Sequence, residues 1–420
     1  MWFHPAADWG VVLVFALVYL GMLLGGLPAL RLDRSGVALL GAIAMLGLGV
    51  VDSASAAAAV DVPTVLLLFS FMVMSAQMRL GGFYTAVTRW VGERQWPRAG
   101  LLAGLIAVAA GLSAVFSNDV VCLAMTPVVA RMCLQRGLHP VPWLVGLACA
   151  ANIGSAATLI GNPQNMLIGS VLGLEFGAYL WRALPPVVLS LGLLLAWLVW
   201  GPARAGGRSA ADGQAAAPDH WAGDEPSLDR WQTTKGLAVA GLVLLAFLVG
   251  PWPHEVVALV GAAVLLLSRR LHSSHVMTLV DWQLLVLFMG LFVVNYAFEQ
   301  TGLAAEAVAV LAAQGIHLSD TGPLFAAGVL LSNVVSNVPA VMLLLPHVQG
   351  SDAAAAGLTL ALASTLAGNL LLVGSIANLI VADLAAQQGI AIDWKAHARI
   401  GVPVTVLTLG VVAGWLRWGV

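Results

Sequence analysis

The stretches Val11 to Leu30, Val62 to Met78, Ala183 to Ala203 and Trp282 to Phe298 contain no charged side chain. Each is close to the ~20 residues with which a helix crosses the hydrocarbon core of a bilayer. In lipid every backbone N–H and C=O must be satisfied within the protein, so a chain with several such runs is restricted to a bundle of spanning helices. Composition agrees: 60% of the 420 residues are apolar and 9% are charged, whereas a water-facing surface needs about a quarter charged residues. The first run follows a segment, Met1 to Gly10, without Lys or Arg, and it ends without a small-residue cleavage site. It is expected to be a retained helix and not a removable signal peptide.

The chain is also a duplication. Val37-Ala-Leu-Leu-Gly-Ala42 is answered by Val257-Ala-Leu-Val-Gly-Ala262, and Leu189-Ser-Leu-Gly by Leu407-Thr-Leu-Gly, at offsets of 220 and 218 residues. Between these ends Asp61 pairs with Asp281, Gly82 with Gly302, Ser117-Asn118 with Ser336-Asn337, Pro127 with Pro346, Gly161 with Gly374 and Asn165 with Asn378. In both halves the Asn precedes the Pro by nine residues, so a geometry is repeated and not merely a dipeptide. The expected organisation is repeat 1 over 1–201, a polar linker over 202–231 and repeat 2 over 232–420. The first half reads as helices at 11–30, 36–58 and 62–80, an amphipathic segment over 81–95, a hairpin over 98–134, an interrupted helix and a final helix. The second follows at 235–251, 255–268, 282–298, 321–349, 353–383 and 400–418.

Lys and Arg placement fixes the expected topology. If each hairpin segment, 98–134 and 321–349, leaves the membrane on the side it came from, all of the 18 Lys and Arg except Arg182 and Arg417 fall on one side. If each crosses once, the same residues split evenly. The predicted fold is therefore an all-α polytopic membrane protein of two inverted-topology repeats, each with about five transmembrane helices plus a re-entrant hairpin. Both termini are then periplasmic or extracellular, the linker is cytoplasmic, and the location is the inner (plasma) membrane.

Polar residues inside these apolar runs mark the candidate site. Ser117-Asn118-Asp119 interrupts the run from Ala99 to Ala130, and Ser336-Asn337 the run from Leu324 to Pro346. A helix restarting at such a tip presents free N–H groups and a positive dipole end to an anion, while Ser and Asn oxygens can hold a cation. Two tips entering from opposite faces would meet near the midplane, with substrate between them. A second pair of breaks, Gly161-Asn162-Pro163-Gln164-Asn165 and Gly374-Ser375-Ile376-Ala377-Asn378, lies mid-way in uncharged stretches longer than one crossing. Unwinding there frees carbonyls and amides, as in discontinuous transporter helices. Asn152, Ser155, Thr158, Thr365 and Asn369 either line the same path or hold helices together.

Asp119 is the carboxylate expected deepest in the bilayer, and Val338 stands at the matching position of the second half. Proton carriage, cation ligation and hairpin capping all suit it. Cys122, Cys133 and Cys149 lie in apolar stretches with no metal-ligand spacing. The nine histidines map to interfaces or loops. No nucleophile, phosphate-loop or metalloprotease motif is present, so no enzyme activity, resident cofactor or metal centre is expected.

At these residues the chain resembles the ion transporter superfamily, which holds the divalent anion/sodium symporters, the arsenical-pump membrane proteins and NhaD-type sodium/proton antiporters. The marks are Ser117-Asn118-Asp119 through Pro127, Gly161-Asn-Pro-Gln-Asn165 and Ser336-Asn337-Val338-Pro339. They look most like anion permeases of that superfamily. The symporters carry Ser-Asn-Thr at each tip, and the resemblance implies sodium and substrate sites at Ser117, Asn118, Ser336 and Asn337. The Asn-Asp tip here is closer to the arsenical pumps. Elevator-like motion and homodimers are further implications. The expected function is secondary transport of a small inorganic or carboxylate anion coupled to Na⁺ or H⁺. The alternative is arsenite or antimonite efflux, or Na⁺/H⁺ exchange, with Asp119 as proton carrier. Partners are the bilayer, the anion and a second copy, not nucleic acid.

Overall fold

The computed structural model describes residues 5–27, 31–201, 227–348 and 352–418. Most of the expected linker, 202–226, lies outside the described residues. The first half contains α1 (Pro5–Leu24), α2 (Arg34–Gly47), α3 (Ser53–Ala59), α4 (Val62–Leu80), α5 (Phe83–Gly92), α6 (Arg98–Phe116), α7 (Asn118–Gln135), α8 (Pro140–Ser155), α9 (Pro163–Val171) and α10 (Phe176–Trp200). The second contains α11 (Arg230–Val249), α12 (His254–Leu266), α13 (Ser273–Met277), α14 (Trp282–Gln300), α15 (Leu303–Ala313), α16 (Thr321–Val335), α17 (Asn337–Leu344), α18 (Ala353–Ala367), α19 (Ile376–Ala386) and α20 (Trp394–Trp418). The same succession of helices thus occurs twice. The caps repeat with it. Asp61 accepts from the Thr64 N–H at the start of α4, and Asp281 from the Leu284 N–H at the start of α14. Gly82 and Gly302 open α5 and α15 with left-handed backbone, φ 69° and 76°.

Contacts between the halves recur with the halves exchanged. α2 packs on α14 and α12 on α4; α9 packs on α17 and α18, while α19 packs on α7 and α8. Such reciprocity is the mark of a two-fold relation. Glycine explains part of it. A Cβ on Gly41 would strike Val18 of its own half and Val294 of the other, and one on Gly261 would meet Val243 and Met74, the corresponding pair. Small residues let membrane helices approach this closely. The two halves run in opposite directions. Trp415 near the end of α20 donates to the Arg182 carbonyl near the start of α10, at 3.0 Å, so these equivalent 25-residue helices are antiparallel. This is the inverted relation expected from the Lys and Arg distribution.

Every residue of α8 is buried, whereas α1 exposes Leu13, Leu17, Leu20 and Leu24, spaced along one face. α8, the first arm of a broken helix, therefore lies in the core, while α1 turns an apolar face outward. Exposed tryptophans stand at helix ends, among them Trp181 and Trp200 on α10 and Trp394 and Trp418 on α20, as membrane interfaces favour. The helix expected over 36–58 is instead α2 and α3, because Gly49 turns into left-handed backbone (φ 69°) and Asp52 caps a new start through the Ser55 N–H. α11 begins at Arg230, slightly earlier than expected, held by its Asp229 cap and by the bond from the Asp229 N–H to the Gly81 carbonyl.

Candidate functional site

Ser117 and Ser336 are the turning points of the two hairpins, α6–α7 and α16–α17. Their φ angles are 74° and 78°, and Arg31 is the one other non-glycine residue with positive φ among the described residues. An L-residue held there costs about 1–3 kcal/mol, and such strain persists only where the surroundings over-determine it. At the first tip the restart of the helix is fixed by the bond from the Asn118 N–H to the Gly161 carbonyl, 3.1 Å. The hairpin tip is thereby pinned to the unwound segment between α8 and α9. Gly161 itself admits no side chain, since a Cβ would overlap the Ser155 carbonyl. At the second tip a Cβ on Gly368 would lie 2.9 Å from Asn337 Nδ2, so Asn337 abuts the unwound segment between α18 and α19.

A buried amide and hydroxyl network joins these parts. Asn118 Nδ2 donates to Asn152 Oδ1 at 2.8 Å, and Asn152 Nδ2 to Asn369 Oδ1 at 2.8 Å and Asn378 Oδ1 at 3.2 Å. Ser375 Oγ donates to Asn152 Oδ1 at 3.2 Å. On the other side Asn162 Nδ2 reaches Ser155 Oγ at 2.9 Å and Thr365 Oγ1 at 3.3 Å, and Thr365 Oγ1 donates to Asn165 Oδ1 at 3.4 Å. Asn378 Nδ2 caps the Gly368 carbonyl at 2.9 Å. Asn118, Asn162, Asn165, Ser375 and Asn378 are therefore brought together, with Asn337 at the edge of the cluster. The tips do not hydrogen-bond each other among the described residues; the first reaches Asn369 through Asn152. Asn118 Oδ1, Asn337 Oδ1 and Asn369 Nδ2 are buried with no hydrogen-bond partner, an arrangement that asks for an explanation in a native core.

Asp119 does not join this network but lines a separate cavity of about 60 Å³ together with Ser117, Arg79 and Asp281. A second carboxylate and a guanidinium, at the neighbouring ends of α14 and α4, thus line the same space as Asp119. The histidine expectation fails at one position. His397 on α20 is 1% exposed, and its Nε2 lies 3.0 Å from the Asn369 carbonyl. Gln164, Tyr179 and His397 were not among the expected site residues. Gln164 Nε2 donates to Thr365 Oγ1 at 3.1 Å, and Tyr179 OH bridges Asn165 Nδ2 and the Ala156 carbonyl. Gln164 stands inside the Gly-Asn-Pro-Gln-Asn motif and was open to notice; Tyr179 and His397 sit near helix starts and carry no comparable signal.

Residues 15–367 match the citrate transporter family. The chain belongs to that family. Among relatives of this citrate transporter family member, an uncharacterised transporter of Mycobacterium tuberculosis (strain H37Rv) is 31% identical over 92% of this chain and 95% of its own length. The silicon efflux transporter of Oryza sativa subsp. japonica is 29% identical over 91% and 92%. Inner membrane protein YbiR of Escherichia coli is 31% identical over 81% and 84%. In fold the chain resembles the YdaH transporter of Alcanivorax borkumensis, described as having an unusual topology, with a TM-score of 0.56, 16% identity and coverage of 99% of both chains. This member of the citrate transporter family is accordingly a multi-pass membrane transporter and not an enzyme.

Proposed function

We propose that the protein is a secondary active transporter of a small anion, an inorganic oxyanion or a carboxylate, coupled to Na⁺ or H⁺. The observation that carries this is the pair of partnerless oxygens, Asn118 Oδ1 and Asn337 Oδ1, buried at equivalent positions of the two tips. Acceptor oxygens without donors suit a cation. Among the residues named in the network there is no Lys or Arg, so the anion is held by the N-termini of α7, α9, α17 and α19 and by the co-bound cation. Ser117, Asn118, Asn162, Asn165, Ser336, Asn337, Ser375 and Asn378 form the site, and Gly161, Pro163 and Gly374 supply the breaks. The protein works in the inner membrane with both termini periplasmic and the linker cytoplasmic, as a homodimer.

A second reading rests on the Asp119 cavity: proton-coupled efflux of a small inorganic solute such as arsenite or antimonite, or Na⁺/H⁺ exchange. Two carboxylates against one guanidinium disfavour a multivalent anion there, and the rice relative is named for silicon efflux. Both readings are tested by one experiment. Purified protein in liposomes is assayed for arsenite, sulfate, phosphate and C4-dicarboxylate flux under imposed Na⁺ and H⁺ gradients. Anion flux lost in Asn118→Ala and Asn337→Ala supports the first reading. Efflux that tracks the proton gradient and is uncoupled in Asp119→Asn supports the second. No gradient-driven flux of any of these solutes, nor of Na⁺ or H⁺, removes both.

A further inference from the structure

Two cavities lie along the same pair of helices. The first, that of Asp119, is lined on α4 by Leu68, Phe71, Met72, Ala76 and Arg79 and on α9 by Pro163 and Met166. The second, of about 360 Å³, is lined on α4 by Pro63 and Leu67 and on α9 by Met166, Gly169 and Ser170. Along α4 these positions recur at three- and four-residue steps, so one face of the helix lines the first cavity over its last turns and the second over its first. The same holds for α9 in the reverse direction. α4 has 19 residues and is about 28 Å long, nearly the thickness of the hydrocarbon core. Met166 borders both cavities and is 2% exposed. The two cavities therefore share the flexible Met166 side chain and together follow α4 from Pro63 to Arg79.

Titratable groups stand in each cavity. Asp119, Asp281 and Arg79 line the first, which has room for about four waters. His254 and Glu255 line the second, and its Ser170 donates to Asp61 Oδ1 at 2.9 Å. With the Lys- and Arg-rich side cytoplasmic, Arg79 and Asp281 mark the cytoplasmic mouth and the α11–α12 turn at Trp252 to Glu255 the periplasmic one.

We propose that the α4–α9 face is a proton conduit, distinct from the asparagine network, in which Met166 is the apolar partition between two wetted half-paths. The proposal rests on the proton-coupled reading above. Displacement of the Met166 side chain joins the two waters and lets a proton pass between the Asp119 side and the His254 side, while the site at the tips holds the solute.

Wild type, Met166→Ala and the volume-conserving Met166→Leu are reconstituted with a trapped pH dye, and acidification is followed under a potassium diffusion potential with no solute present. Met166→Ala is expected to show a several-fold faster proton leak, Met166→Leu the wild-type rate, and Met166→Ala combined with Asp119→Asn a leak returned toward wild type. A folded, monodisperse Met166→Ala protein with no added leak overturns the conduit. Should that variant not fold, Met166→Cys on a background without the native cysteines is exposed to small charged methanethiosulfonates. Labelling from both sides supports the partition, and labelling from neither overturns it. Because the leak needs no solute, a wild type coupled only to Na⁺ would overturn the proton-coupled reading separately from the Met166 result.

Discussion

Asn152 and Thr365 occupy corresponding positions 213 residues apart, and each hydrogen-bonds the broken segment of the opposite half. Asn152 Nδ2 donates to Asn378 Oδ1 at 3.2 Å, and Thr365 Oγ1 donates to Asn165 Oδ1 at 3.4 Å, the two acceptors being themselves a repeat pair. A duplicated chain has thus used one position in each half to hold the unwound backbone of the other. Unwinding in a membrane core is tolerated where it is buried in protein, and here the opposite repeat supplies the burial.

Replacement of Asn152 by Ala is expected to lower stability and transport together. It strips partners from Asn118 Nδ2, Asn369 Oδ1 and Ser375 Oγ, at about 1–3 kcal/mol for a buried group left unsatisfied. Thermal unfolding in detergent should drop by several degrees, and solute flux should fall. Thr365→Val keeps the shape, removes the bonds to Asn162, Gln164 and Asn165, and should show a smaller loss of stability with a comparable loss of flux.

The strained serines separate stability from function. Ser117→Gly and Ser336→Gly release positive-φ strain of about 1–3 kcal/mol each, although added freedom in the unfolded chain offsets part of the gain. Unfolding temperature is expected to hold or rise. If the hydroxyls bind solute or cation, flux falls despite that; unchanged flux in both variants would remove Ser117 and Ser336 from the site.

Glycine substitutions give a paired comparison. Gly161→Ala puts a methyl into the Ser155 carbonyl and should yield little folded protein by size-exclusion chromatography. Gly192→Ala, in α10 with nothing within 4 Å of the added carbon, should be neutral or stabilising by up to about 1 kcal/mol.

Asp119→Asn keeps the size of the side chain and removes its charge. It is expected to abolish proton coupling, read as the loss of acidification accompanying solute movement, while solute binding measured by calorimetry persists because the asparagine network does not include Asp119. Retained coupling would return Asp119 to the role of a hairpin residue.

The cavity at Asp119 and the cluster at Asn152 were not equally legible in the sequence. Ser117-Asn118, Ser336-Asn337 and the two Gly-initiated breaks stood out because polar residues in apolar runs are costly in lipid and these were duplicated at matched spacing. The inverted relation was legible too, since Lys and Arg gather at one set of helix ends when the halves are taken as inverted. Arg79 and Asp281 read as ordinary helix-end charges, and nothing local shows that α4 and α14 bring them to Asp119. His397 reads as an interface residue and Tyr179 carries no signal, because burial of a side chain near a helix start depends on what packs over it.

By itself, then, the sequence determined the solvent, the duplication, the opposite orientation of the halves and the points where helices must break, because each follows from local hydrophobicity, charge and the conformational preferences of a few residues. The tertiary structure alone decided that Asn152 and Thr365 reach across to the opposite repeat, that Asp119 shares a cavity with Asp281 and Arg79 and not with the asparagines, and that Met166 borders two cavities. Those relations join residues far apart in the chain, and their distances are set by how the two halves pack.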